Sequence, residues 1–185
     1  MMKRTVLFLT LFFLLIPPAA FGADIIGPEV RLANSEISVS TGLSLDEKNL
    51  HDLRNGISKE ITFYIDLFRV WDMWPNEFIT GKKIVKTLRC DPIKKEYTAT
   101  SFDGATLTEK RFRSFDSMLG WTLNIRDIML IHDRELERSD YFVKVTVESR
   151  LRKLPPVIGY LLFFVPEKEF KVVKDSPMFS VGTEK

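Results

Sequence analysis

Residues with types suited to chemistry are few in this chain and widely spread. His51 and His132 are its only histidines, and Cys90 is its only cysteine. A metal centre needs His, Cys, Asp or Glu gathered at compatible spacing, and these residues fall on separate predicted elements. His51 lies on a polar stretch and reads as a surface residue. His132, in Ile131-His132-Asp133, has a carboxylate beside it that can orient an imidazole for acid–base work; the plainer reading is a strand-end histidine bonded to a turn. Asp66 interrupts an apolar run, where burial raises a carboxyl pKa unless a cation pairs with it. Arg69 and Arg89 are its candidate partners, with a structural ion pair expected. Asp66, Asp72 and His132 are the residues a hydrolase would draw on. The sequence contains no nucleophile elbow, phosphate loop or dinucleotide fingerprint, so no catalytic residue is assigned and neither a cofactor nor a metal is expected.

Trp71-Asp72-Met73-Trp74, followed by Pro75-Asn76, is the most unusual local cluster. Two readings stand. In one, the tryptophans form an aromatic recognition platform; in the other, Trp71 lies in the core and Trp74 covers its edge. Basic residues gather at Lys82, Lys83 and Lys86, at Lys110, Arg111 and Arg113, and at Arg150, Arg152 and Lys153. A solvated polar face explains each group, with an anionic-ligand site as the rival. Cys90 alternates with Ile84 and Leu88, which predicts a buried small hydrophobe rather than a reactive thiol.

These side chains must be positioned mainly by strands. Val30 to Ser40 alternates in β fashion, with a bulge or short turn at Ala33-Asn34-Ser35. Ser44 and Glu47 form a capping box ahead of Leu50, Leu53 and Ile57 at helical spacing, and Asn55-Gly56 supplies the stop. Ile61 to Trp71 is apolar on both faces, which predicts a central strand covered on each side. Ile84 to Cys90 and Glu96 to Phe102 are strands joined near Asp91-Pro92, and Asp103-Gly104 turns the chain. Ser114 caps a second helix carrying Phe115, Met118, Leu119, Thr122 and Ile125, within which Gly120 is either a weak point or a site of close approach. Ile128 to Ile131 is a short strand. Tyr141 to Leu151 is a long one, with Tyr141, Val143, Val145 and Val147 inward. Phe170 to Val173 is the last. Strands joined by short turns, without βαβ alternation, predict a mainly β or α+β fold: an antiparallel sheet or β-sandwich with two or three short helices packed on it.

The N-terminus supplies an address. Lys3 and Arg4 precede the apolar run Val6 to Ile16, Pro17 and Pro18 end it, and Ala20-Phe21-Gly22 places small residues where a signal peptidase cuts. The expectation is a cleaved leader over residues 1–22, one β-rich domain over 23–181 and a loose tail over 182–185. The product would be periplasmic or secreted and would carry no transmembrane span. Loss of the leader takes the 27 basic residues to 25, matching the 25 acidic ones, so the mature chain is neutral. A neutral balance disfavours nucleic acid and anionic membrane as partners. A single cysteine excludes an intramolecular disulfide, so stability must come from apolar burial, which this length can supply.

One further run is conspicuous. Val157 to Val165 is wholly apolar apart from Gly159 and Tyr160, and Pro155-Pro156 and Pro166 fence it. Nine residues cannot span a bilayer, so it is either a buried short helix or an exposed apolar knob.

Several residues recur in an order that carries a family resemblance. Leu53 and Gly56-Ile57 lead into the Phe63 strand, followed by Arg69-Val70-Trp71, Tyr97, Phe115, Leu136 before Tyr141, and Leu151 with Leu154-Pro155. In these the chain resembles a bacterial envelope family known as domain of unknown function 4390. The resemblance implies export and carries no catalytic motif over. The leading expectation is therefore a non-enzymatic binding or accessory module engaging an envelope protein partner, with Trp71, Trp74, Leu161 and Phe164 as candidate contact residues. A periplasmic carrier of a small apolar ligand is the alternative, and a hydrolase the third.

Overall fold

The computed structural model describes residues 22–151 and 168–182. Leu161, Phe164 and the rest of the Val157–Val165 run lie outside the described residues, as do residues 1–21, on which the expected leader falls.

The chain opens with β1 (Asp24–Ala33) and β2 (Glu36–Ser44), then α1 (Glu47–Arg54), β3 (Lys59–Arg69), β4 (Glu77–Asp91), β5 (Glu96–Phe102) and β6 (Leu107–Phe112). Helix α2 (Phe115–Thr122), β7 (Asn124–His132), a single 3-10 turn (Asp133–Glu135), β8 (Ser139–Leu151), β9 (Lys168–Asp175) and β10 (Phe179–Val181) follow. Every strand pair is antiparallel. A seven-stranded sheet runs β10–β8–β3–β4–β5–β6, and β9 shares with β10 the outer edge of β8. A three-stranded sheet, β1–β2–β7, packs on one face of it. Among the described residues the fold is mainly β with two short helices, as the strand pattern predicts.

Alternation along β3 builds the core. Ile61, Phe63, Ile65 and Leu67 are fully buried and meet Val143, Val145 and Val147 of β8. Ile25, Ile37, Val39 and Leu43 of the small sheet close over them in one apolar cluster. Burying each such side chain is worth about 1.5–3 kcal/mol. The small sheet lies across the large one with β1 against β8 and β9, and β7 against β4. Helix α2 packs beside β7, on β4, β5 and β6, through Phe115 and Met118.

Local chemistry explains most element ends. The break after Ala33 is a turn, not a bulge: Asn34 and Ser35 both take positive φ, as a two-residue hairpin requires, and β1 folds back on β2. Asp103 Oδ1 accepts from the amides of Ala105 and Thr106, at 3.0 and 2.7 Å, and makes the β5–β6 turn. Asp91 Oδ1 does the same for Ile93 and Lys94 between β4 and β5. Ser114 caps α2, and Gly56, at φ +90°, follows the end of α1.

Other expectations are corrected. Asp46, not Ser44, caps α1: Ser44 still belongs to β2, and the Asp46 carboxylate accepts from Asn49 N at 2.9 Å. Helix α2 stops at Thr122, and Ile125 keeps its burial by entering β7. Strand β7 is also longer than its apolar stretch. Strand β6 leaves no alternation in the sequence that marks it as a strand, because five of its six residues are exposed. In β3 the second row, Tyr64, Asp66 and Phe68, is half-buried, so one face is sealed rather than two.

Candidate functional site

The inward row of β3 runs on past Leu67 to Arg69, opposite Tyr141 on β8. Arg69 anchors the loop that follows. Its Nη2 donates to Glu137 Oε2 at 2.7 Å, and Nη1 lies 3.8 Å from Glu77 Oε2. The guanidinium sits 4.5 Å from the centre of the Trp71 ring, and Trp71 Nε1 donates to the same Glu77 oxygen at 3.3 Å. Val70 N bonds Asp140 O at 2.9 Å. Trp71 is thus held from two sides at the end of the large sheet.

The loop it starts is open to solvent. Trp71 is 43% exposed, Met73 89% and Trp74 77%, with Phe78 at 57% just beyond. The reading that placed Trp71 in the core is overturned: the strand ends at Arg69, and Trp71 packs on an arginine at the rim instead of on the apolar cluster. A hollow of about 610 Å³ opens beside it, with Asp72, Arg138, Asp140 and Ser180 in its wall. Large apolar side chains exposed together on one loop are uncommon on a monomer and mark contact surfaces.

Asp66 lies on the outer face of the large sheet, between Lys144 of β8 and Gly81 of β4. Burial pushes its carboxyl above the usual carboxylate range, and the Lys144 charge opposes that rise. Its predicted partners are not its partners: Arg69 is committed to Glu77 and Glu137, and Arg89 is exposed. The Lys144 ammonium also lies 5.0 Å from the centre of the Phe68 ring, which stacks on Phe142 and meets Phe78 edge-on. His132 ends β7 opposite Glu36, in the other sheet from Asp66. Asp72 sits in the exposed loop. The three hydrolase candidates are therefore not brought together. His51 is exposed on α1. Cys90 is buried, and burial followed by the Asp91 charge pushes its thiol up, away from thiolate chemistry.

Among the described residues no group of three or more His, Cys, Asp or Glu could hold a metal ion, and no helix is long and apolar enough to cross a membrane.

Two buried lysines carry only a faint sequence signal. Lys59 begins the inward row of β3 and is fully buried, held by Asn49 and Glu169. Lys86, grouped by sequence with solvated Lys82 and Lys83, is also buried, facing Trp121 of α2. In both cases strand register, not composition, turns the cation inward. Only the alternation phase set by neighbouring isoleucines hints at this.

Fold and site together define a two-sheet, wholly antiparallel β domain that presents an aromatic loop at one end. The chain matches the family described as Domain of unknown function (DUF4390) over residues 22–176 and belongs to it. No curated protein and no solved structure matches the chain.

Proposed function

We propose that this protein is an exported, non-catalytic module of the bacterial envelope that engages a protein partner through the loop between β3 and β4. The observation that carries the reading is the joint exposure of Trp71, Met73 and Trp74, with Trp71 held in place by Arg69 and Glu77. Tryptophan and arginine are enriched at binding hot spots, and tryptophan buries a large area with only two side-chain torsions to freeze. The polar hollow beside Trp71 offers the rim such an apolar anchor needs. Export rests on the charged head, the apolar run and the small-residue exit at Ala20 to Gly22, with β1 starting at Asp24, close behind.

Cross-linking in intact cells followed by affinity capture tests the reading. A protein captured by the wild type and lost with Trp74→Ala and Met73→Ala supports it. Capture that survives both substitutions but disappears with Leu161→Asp and Phe164→Asp moves the contact to the 157–165 segment. N-terminal sequencing of the purified protein checks export, with Ala23 expected as the first residue.

A further inference from the structure

A second site is carried by different residues. Lys86 of β4 and Lys110 of β6 lie on the same face of the large sheet, as the register shows: Leu88 pairs with Ala99 and Ala99 with Lys110, while Lys86 pairs with Ser101 one step along. Trp121 of α2 covers both. The Lys86 nitrogen is 4.1 Å from the centre of its ring and the Lys110 nitrogen 5.1 Å, so one indole is shared by two ammonium groups. Among the described residues neither lysine has a carboxylate within salt-bridge distance. Glu109 belongs to the outward row opposite Thr100. Asp103, in the wall of the adjoining hollow, accepts from the backbone of its own turn and feels the Lys82 charge. The electrostatic cost is visible in Lys86, whose pKa falls to about 8 through burial and then through Lys110.

A hollow of about 480 Å³ opens on Lys86 and Trp121, walled by Ile84, Ile125 and Ile128, with Ser101, Asp103 and Arg126 also in its lining; Lys110 stands outside this lining and acts on it through its charge. It continues into a second hollow of about 490 Å³ between β4 and β7, sharing Ile84, Asp103 and Ile128 and bringing Lys82 and Lys83 to the rim. Spaces of this size hold small organic ligands. The buried Lys86 ammonium, without a salt-bridge partner and with Lys110 close by, faces a cleft with isoleucine walls in which Lys82, Lys83 and Arg126 outnumber Asp103 and Asp127; this matches an anionic group joined to an apolar body.

We propose that the cleft between β4, β7 and α2 binds a small amphiphilic anion, its carboxylate or phosphate head on Lys86, within the field of Lys110, and its apolar part against Ile84, Ile125 and Ile128. The head supplies the counter-charge that the two lysines lack, through charge-assisted hydrogen bonds. The inference does not depend on the loop of Trp71 and Trp74, whose residues the cleft does not use.

Trp121 reports occupancy directly. The chain has three tryptophans, so Trp71→Phe with Trp74→Phe leaves Trp121 as the only one. In this background octanoate and octyl phosphate, titrated below the concentration at which they form micelles, are expected to change Trp121 emission saturably. Octylamine and octyl glucoside are expected not to. Lys110→Gln, at an exposed position that the core does not need, should weaken both anions about tenfold. Lys86→Gln with Lys110→Gln should abolish binding. The inference is overturned if neither anion gives a saturable change, if octyl glucoside binds as well as octanoate, or if Lys110→Gln leaves the affinities unchanged.

Discussion

Lys59 Nζ, without solvent exposure, donates to Asn49 Oδ1 at 2.8 Å and so ties helix α1 to the first residue of the central strand. The tie extends both ways. Asn49 Nδ2 donates to the capping Asp46 at 2.6 Å, and Lys59 pairs with Glu169 of β9, whose other oxygen accepts from Ser149 at 2.8 Å. Asp52 stands 3.7 Å away. One cation thus joins α1, β3, β8 and β9.

Removing one partner of a buried pair leaves a charge without compensation and typically costs about 3–5 kcal/mol. Glu169→Ala should therefore destabilise the protein by about 3 kcal/mol in urea denaturation. The double variant Lys59→Met with Glu169→Ala should recover part of that loss, because it removes both charges. If the two single substitutions simply add in the double variant, the pair is not coupled.

The aromatic loop makes the opposite prediction. Trp74 is mostly exposed, so Trp74→Ala should change stability by no more than about 0.5 kcal/mol while removing partner capture. Trp71→Ala should cost somewhat more, about 1 kcal/mol, because it also uncovers the Arg69 guanidinium. Chemical denaturation alongside cross-linking separates the two effects; a large stability loss from Trp74→Ala would place it in the core.

Two glycines should respond with opposite sign. A Cβ at Gly120 would meet nothing within 4 Å, so Gly120→Ala should stabilise α2 by about 0.5–1 kcal/mol. A Cβ at Gly81 would overlap the Asp66 carboxylate, so Gly81→Ala should destabilise by about 1–3 kcal/mol. Adding Asp66→Ala should relieve the second effect. Thermal melts of the three variants give the comparison.

Lys86 should leave a signature in pH dependence. Its folded pKa of about 8 lies below the ordinary 10.5, so between these values the unfolded chain holds the proton more often than the folded one. Stability contributed through Lys86 therefore rises with pH across that window, and the cost of the buried charge is fully present below it. Lys86→Met should be more stable than the wild type at pH 7, with the difference shrinking toward pH 10 (about 1 kcal/mol or more at the neutral end). Denaturation of both proteins across this range is the measurement; parallel profiles would show that Lys86 carries no such cost.

Periodicity by itself determined the architecture. Alternating apolar residues in Ile61 to Leu67 and Tyr141 to Val147 specify half-buried antiparallel strands, and Asn55-Gly56, Asp103-Gly104 and Ser114 place the ends, because these features depend on neighbours a few residues apart. Family membership was legible in the same way, from the order of Leu53, Gly56, Arg69, Trp71 and Tyr97. What lies across the sheet was not. Whether Trp71 faces the core depends on where β3 ends, and Arg69 decides that by binding Glu77 and Glu137. Lys59 and Lys86 look like surface residues until register sets them inward, the first against Asn49 and Glu169, the second against Trp121. The burial of a charge depends on partners 10, 35 or 110 positions away, and only the tertiary structure brings those together.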